Sequence, residues 1–251
     1  MQEMTSAVCD AVTTPASASV TAVPEGTLID YRGRDGTGTA ENPVNDPTSS
    51  NYQAYKVRKL YDGNCWMAEN LQLNLSTSHS YKVGTFAGGE ADWTPNQTST
   101  NDAYNYAITP NYAENIAVTD YRSISHNNWY YTWHAAVAAT SNTQTSYTAT
   151  QSICPKGWRL PPYRDNKSFY NLITTKYGQS TGKPINNDPL NFYPAGNYNS
   201  GSLNDSAYGY YWSATSNTNS HAYRLYFYSS NVYPQNLNNK SYGFSVRCVS
   251  L

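Results

Sequence analysis

The chain has 251 residues, enough for one large domain or two modest ones. Charged residues make up 13% of it, about half the usual globular share, and the formal net charge is −1. That balance excludes the basic surface that nucleic acid or an anionic membrane demands, and no run of about 18 apolar residues offers a membrane span.

From the N-terminus, "MQEMTSAVCDAV" has neither the basic n-region nor the apolar h-region of a secretory signal. Residues 11–50 are rich in Thr, Ala, Ser, Pro and Gly, a composition that buries too little apolar surface to offset its ordering entropy. The expectation is an extended arm or stalk over residues 1–50, loosely docked at most, and one domain over 51–251. Regular structure is expected from Tyr55: "YKVRKL" alternates, "YDG" supplies turn residues, and "NCWMAENLQL" resumes the apolar pattern as the return strand of a hairpin. Residues 76–128 are polar and read as loop, with Gly88-Gly89 and Pro95 as breakers. "WYYTWHAAVAAT" (129–140) predicts a strand leading into a short helix, and "ICPKGWRLPP" (153–162) a compact strand and turn. In "YRDNKSFYNLITTKYG" (163–178), Phe169, Leu172 and Ile173 stand at i, i+3 and i+4 and Gly178 supplies a stop, the strongest helix signal in the chain. From Asn191 onward short strand-like pieces recur between Gly, Asn and Ser. The fold class is α+β with short strands, few helices and much irregular structure.

The chemistry-bearing residues are sparse. Cys9, Cys65, Cys154 and Cys248 are widely spaced with no C-x-x-C pair, which argues against zinc and thioredoxin-like chemistry. An even count in a charge-poor, Tyr/Asn/Ser/Thr-rich chain reads as two disulfides in an oxidising compartment, with four buried thiols as the alternative. The expected location is therefore extracellular or at the cell surface, with a leader or anchor absent from this sequence. His79, His126, His134 and His221 are isolated from one another and from carboxylates at ligand spacing, so no metal centre is expected. Asp102, Asp120 and Asp205 lie in polar loops whose oxygens leave a structural calcium open; no other cofactor is expected. No nucleophile elbow, zinc-protease helix or phosphate loop is present, and the expectation is not an enzyme.

The stretch from Tyr208 to Val249 is the most distinctive. The chain carries 25 Tyr against 5 Phe, and here they crowd among Asn and Ser. Tyr, Ser, Gly and Asn are the residues that paratopes favour: large contact area at low entropic cost, with adaptable hydrogen bonding. In "AYRLYFYS", strand parity places Tyr223, Leu225 and Phe227 on one side and Arg224, Tyr226 and Tyr228 on the other. Leu225 and Phe227 are the natural core side, so the second set projects outward as a contact surface. A polar β-surface that merely keeps the chain soluble is the plainer alternative.

Five separated motifs, "DGNCWMAENL" (62–71), "CPKGWRLP" (154–161), "YWSAT" (211–215), Ala222 with Leu225 and Phe227, and "GFSVRCV" (243–249), occur together and in order. The set resembles the Fibrobacter succinogenes major paralogous domain over roughly 55–251. The resemblance implies a C-type-lectin-like fold, shared with formylglycine-generating enzymes, and a subset of proteins with that fold are the variable proteins of diversity-generating retroelements. In those systems template adenines are miscopied, and Asn codons of the AAY form give Tyr, His, Asp, Ser and others but no stop. The implied ligand-binding residues are Tyr208, Tyr210, Ser216, Asn217, Asn219, Ser220, His221, Tyr223, Arg224, Tyr226, Tyr228, Tyr233, Asn236, Leu237, Asn238, Asn239, Ser241 and Tyr242. Gln235, Lys240 and Trp212 are unreachable from AAY and are expected to be fixed or to derive from other codons, while Trp212, Ala222, Leu225, Phe227, Val232, Val246 and Cys248 hold the frame. The same resemblance implies a Cys154–Cys248 disulfide, which leaves Cys9 to Cys65. The Glu-Pro-Asn and Gln-Pro-Asp triplets of calcium-dependent lectins and the paired reactive cysteines of formylglycine-generating enzymes have no counterpart, so neither activity carries over. The implied function is a receptor- or adhesin-type binding protein for a protein or glycan on another surface. The alternative is a constant cell-surface or pilus-associated adhesin, and a degenerate enzyme is the third reading.

Overall fold

The computed structural model describes residues 4–17, 22–76, 78–95, 116–119, 125–139, 146–178, 185–199 and 202–251, with only the backbone described at 116–119 and 125–127. The N-terminal segment enters with helix α1 (Ser6–Ala11), whose first turn is capped by the Thr5 hydroxyl accepting from the Val8 amide. Strand β1 (Glu25–Ile29) pairs antiparallel with β2 (Ala54–Lys59), and β2 turns through Gly63, at φ +86°, into β3 (Cys65–Met67). Alternation in "YKVRKL" works as expected: Tyr55 and Val57 are buried and Lys56 is exposed.

Residues 25–32, within the segment expected as an extended or loosely docked arm, pack firmly into the domain. Leu28 enters the core, and Asp30 and Arg32 are both fully buried as an ion pair at 2.7 Å. Arg32 also donates to the Lys82 and Ile153 carbonyls. Composition missed this because the burial is polar: a buried charge is tolerated when paired and fully hydrogen-bonded, and a Thr/Gly-rich segment can be anchored that way.

The stretch read as loop contains two hairpins. Strands β4 (Tyr81–Thr85) and β5 (Glu90–Trp93) pair around Gly88, whose φ of +89° makes it a turn residue rather than a breaker. Strands β6 (Ile116–Thr119) and β7 (Ser125–Asn128) form the second. Tyr131 bridges to Phe244, and Thr132 caps the one-turn helix α2 (Trp133–Ala136), so the predicted strand-to-helix step is present in short form. β8 (Gln151–Ser152) adds to β4, and β9 (Trp158–Arg159) follows the Gly157 turn. The predicted helix near 163–178 is present as α3 (Tyr170–Lys176). Phe169, Leu172 and Ile173 face inward as their spacing requires, but the turn is widened to π, with the Tyr177 amide bonding the Leu172 carbonyl.

The C-terminal part comprises the hairpin β10 (Asn197–Asn199) and β11 (Ser202–Asn204), then β12 (Gly209–Ser216), β13 (His221–Tyr228), β14 (Asn231–Asn239) and β15 (Val249–Ser250). β15 inserts between β3 and β9, giving a five-stranded sheet in the order β1-β2-β3-β15-β9 that ties the two ends of the chain together. The fold is thus mostly β-sheet with few helices and much irregular backbone.

Two disulfides join Cys9 to Cys65 and Cys154 to Cys248, across 56 and 94 residues of sequence. The expected pairing is the one found. No helix among the described residues is long and apolar enough to cross a membrane.

The meander β12-β13-β14 separates two apolar clusters. Trp212 and Ala222 belong to the larger, with Trp133, Trp158 and Phe244. Tyr211, Leu225 and Phe227 belong to the smaller, with Trp66, Phe169, Leu172 and Ile173. Period-2 alternation therefore gives each of the two faces its own packing partner. The larger cluster covers only part of its face. The uncovered remainder is where the candidate site lies.

Candidate functional site

Register sets the site. Tyr210 stands opposite Tyr226 and Tyr226 opposite Tyr233, so three phenol rings form a ladder across β12, β13 and β14. Their centroids are 5.2 and 5.7 Å apart in turn. Tyr208 stacks on Tyr226 at 5.8 Å, and Tyr228 leans on both Tyr208 and Tyr226. Such offset pairs contribute roughly 0.5–1.5 kcal/mol each beyond the area they cover. A bulge between Arg224 and Tyr226 gives β14 an extra residue there, and Pro234 falls in it, where the edge strand tolerates a missing N–H.

Beside the ladder opens a groove of about 640 Å³, lined on the sheet by Tyr210, Arg224, Tyr226, Asn236 and Asn238, with Tyr242 following the sheet. The opposite wall is the β10–β11 hairpin, which contributes Asn197, Asn199, Ser202 and Asn204, with Asp205 just beyond it. Two features dock that hairpin. Tyr198 and Gly243 exchange backbone hydrogen bonds at 2.9 and 2.8 Å, and Gly196, at φ +74°, donates to the Tyr208 carbonyl. Asp205 takes the left-handed conformation that short polar side chains adopt most readily, at φ +55°. Its carboxylate accepts from the Tyr210 hydroxyl and from the Asn197 amide, each at 3.1 Å. Of the three aspartates whose oxygens leave a calcium open, Asp205 is the one that lines the groove. Asp102 and Asp120 lie outside the described residues, as does the side chain of His126, and no cluster of potential metal ligands occurs among the described ones.

Arg224 is the charged centre of the groove. It was expected to project from the outward face, but only 8% of it is exposed. Its guanidinium lies 4.7 Å from the Tyr210 ring, 4.6 Å from Tyr226 and 5.3 Å from Phe244. Nη2 donates to Asn236 Oδ1 at 3.0 Å, while Nε and Nη1 are shielded from water with no aligned acceptor. Burial draws the guanidinium pKa down to about 10, and the nearby Tyr210 hydroxyl opposes that without forming an aligned hydrogen bond. Burial and the Asp205 carboxylate push the Tyr210 phenol above its ordinary value.

The predicted binding residues do not share one surface. Tyr210, Arg224, Tyr226, Asn236, Asn238 and Tyr242 line the groove, and Tyr208, Tyr228 and Tyr233 extend its aromatic rim. Tyr223 and Leu237 are cross-strand partners on the opposite face, where Tyr223 stacks on Tyr163 at 3.8 Å. Asn217, Asn219, Ser220 and His221 form the β12–β13 turn, held by the Asn217 amide on the His221 carbonyl; Asn239 pairs with His221, and Ser241 follows at the end of β14. Ser216 is 1% exposed, and its hydroxyl accepts from the Tyr147 amide at 3.2 Å, so it holds the frame and makes no surface. Tyr210 is likewise mostly buried, at 6%, and offers an edge. Leu225 and Phe227 are wholly buried, as the parity argument requires, and Tyr226 and Tyr228 stay half-buried on the other side. The hairpin wall escaped the sequence reading, although "NYNSGSLND" carries the Asn/Ser composition of the groove residues.

Asp62, Asn70 and Arg247, from the first and last motifs, do structural work elsewhere. Asp62 accepts from the Trp66 indole at 2.8 Å, and burial raises its carboxyl pKa despite that bond. Arg247, fully buried, is held by Asn70 Oδ1 and by the Met67 and Asn191 carbonyls, with Phe192 4.7 Å from its guanidinium. Asn70 reaches Asn128 at 2.7 Å, and Asn128 reaches Ser245 at 3.1 Å. These residues lock β3 to the chain that enters β15, away from the groove. The family model for the Fibrobacter succinogenes major domain matches residues 60–250, which include all five motifs. Comparisons with the curated proteins and with the solved structures returned no match. The chain belongs to the Fibrobacter succinogenes major domain family.

Proposed function

We propose that the protein is a surface-displayed binding protein whose groove and Tyr rim meet the ligand, on a C-type-lectin-like scaffold, and that its C-terminal segment is a product of retroelement diversification. One observation carries the reading. In β13 the residues that fix the fold and those that face the groove alternate, Leu225 and Phe227 against Tyr226 and Tyr228. A segment arranged this way accepts substitution on one face while the other keeps the packing, since exposed changes usually cost under about 0.5 kcal/mol and buried aromatic truncations several. The reading narrows the variable set to the groove, the rim and the β12–β13 turn, and moves Ser216 into the constant frame. Two disulfides accord with an extracellular location.

The test is genomic. DNA flanking the gene should hold a near-identical repeat of the segment encoding about Gly201 to Cys248, with mismatches confined to template adenines and clustered at groove and rim codons. A flanking region without such a repeat, or mismatches spread over Leu225, Phe227 and Trp212 codons, returns the chain to the reading of a constant adhesin.

A further inference from the structure

We infer that the groove takes a carboxylate-bearing sugar residue, with the carboxylate on Arg224 and the ring on the Tyr226 and Tyr242 side of the groove. This rests on the binding reading above and names the class of ligand. Three features combine.

First, Arg224 is a cation more than nine-tenths buried, and it lines the groove with two of its three nitrogens lacking an acceptor. A guanidinium withdrawn from water with no carboxylate in direct contact is costly, and the aromatic faces and the more distant charge of Asp205 compensate only in part. An anion held in the groove places a compensating charge beside the guanidinium and reduces that cost. Second, most of the remaining lining consists of Asn and Ser side chains, from both the hairpin and β14. An Asn amide carries donor and acceptor capacity together; Asn197 and Asn204 spend part of theirs as donors to Asp205 and Ser202, and Asn236 accepts from Arg224, so the unspent remainder is what meets neighbouring ring hydroxyls. An acidic peptide would bring apolar side chains and strand-forming backbone, for which this lining has few partners. Third, Asp205 sits on the same lining. It repels a second carboxylate and accepts from hydroxyls, so it orients the ring with its acid end toward Arg224. The volume of about 640 Å³ lies within the usual ~300–1,000 Å³ of small-ligand sites.

Isothermal titration of the full chain with glucuronic acid, glucose and glutaric acid monoamide, all at neutral pH, tests this. The expected result is saturable binding of glucuronic acid, at least tenfold weaker binding of glucose, and at least tenfold weaker binding of the acyclic acid. Arg224→Gln should abolish the difference between glucuronic acid and glucose, and Arg224→Lys should restore part of it. Because Arg224 is buried, its variants are checked by thermal melting, and the exposed Asn204→Ala, which should weaken both sugars alike, serves as a second probe without that risk. Glucose binding as tightly as glucuronic acid, the acyclic acid doing so, or no uptake of any of the three by the folded chain would each overturn the inference. A flanking template repeat found alongside failed uptake would leave the diversification reading standing while this one falls; uptake without a repeat would do the reverse.

Discussion

Replacing Phe227 and Tyr233 separately by Ala measures the separation of faces on which the functional reading depends. The Phe227 ring is wholly buried beside Leu225 and Tyr211, with the Tyr211 centroid at 6.1 Å, and it lies against Gly209, where a methyl group would overlap it. Truncating a buried Phe costs about 3–5 kcal/mol through lost transfer energy and the cavity left behind. Against a total stability of roughly 5–15 kcal/mol, that is about a fifth or more of the whole. Tyr233 is 41% exposed at the edge of the ladder, and its ring contacts are Tyr226 at 5.7 Å and Tyr228 at 6.3 Å. Losing those pairs at an exposed site costs about 1 kcal/mol or less. The assay is guanidinium unfolding followed by tryptophan fluorescence, with both disulfides intact. Phe227→Ala should lower the midpoint steeply at unchanged slope, and Tyr233→Ala should barely move it. Equal costs for the two substitutions, or a Phe227→Ala cost under about 1 kcal/mol, would refute the reasoning.

Three further outcomes follow from the same packing. Gly209→Ala forces a Cβ into the Phe227 ring and should destabilise by about 1–3 kcal/mol, read as a lowered denaturation midpoint. Replacing Cys154 and Cys248 together by Ala, which opens a loop of 94 residues, should cost about 2–5 kcal/mol; a melting temperature that stays unchanged would count against a structural role for the pair. His134 is buried, and that burial, with Lys240 nearby, holds its pKa down to about 3 against an ordinary 6.5. The unfolded chain therefore takes up a proton below about pH 6.5 that the native chain refuses, so stability falls as the pH drops from 6.5 toward 3. The fall between pH 7 and 5, before most carboxylates titrate, is about 2 kcal/mol, and His134→Gln should flatten it.

Much of this was legible in the residues. Alternation in "YKVRKL" and "AYRLYFYS" fixes which side chains turn inward, because a period of two leaves no third option once one face is apolar. The i, i+3, i+4 triad marks the buried stripe of α3 for the same kind of reason, though nothing in it announces the π-widened turn. What escaped were features whose signal is not apolar periodicity. The hairpin of Tyr81–Thr85 and Glu90–Trp93 hides in a polar stretch, and its glycine pair reads equally as a breaker or a turn. Residues 25–32 look unable to fold until Asp30 and Arg32 are seen to satisfy one another inside the core. Arg224 is the instructive error. Parity places it correctly beside Tyr226 and Tyr228, but parity does not say how far a rim of large rings closes over its neighbours, and three aromatic faces within about 5 Å were enough to bury a guanidinium.

That error bears on how the scaffold tolerates change. If every residue on the groove side were equally free, swapping Arg224 for a small neutral side chain would cost nothing. Yet its guanidinium packs against the rings of Tyr210, Tyr226 and Phe244, and Phe244 in turn sits 4.2 Å from Trp212 in the larger cluster. A change at Arg224 is therefore felt by the frame through two ring contacts, whereas a change at Tyr233, Asn238 or Asn219 is not. Freedom to vary should grade outward from Arg224 to the rim: positions in the groove floor should accept only residues of similar bulk, and rim positions nearly any. A deep substitution library of the segment, sorted first for folding and only then for binding, reads that gradient directly. Uniform tolerance across Arg224, Tyr226 and Tyr233 in the folding sort would show that ring packing at the groove floor carries no stability, and the link from a buried cation to an anionic ligand would lose its energetic footing.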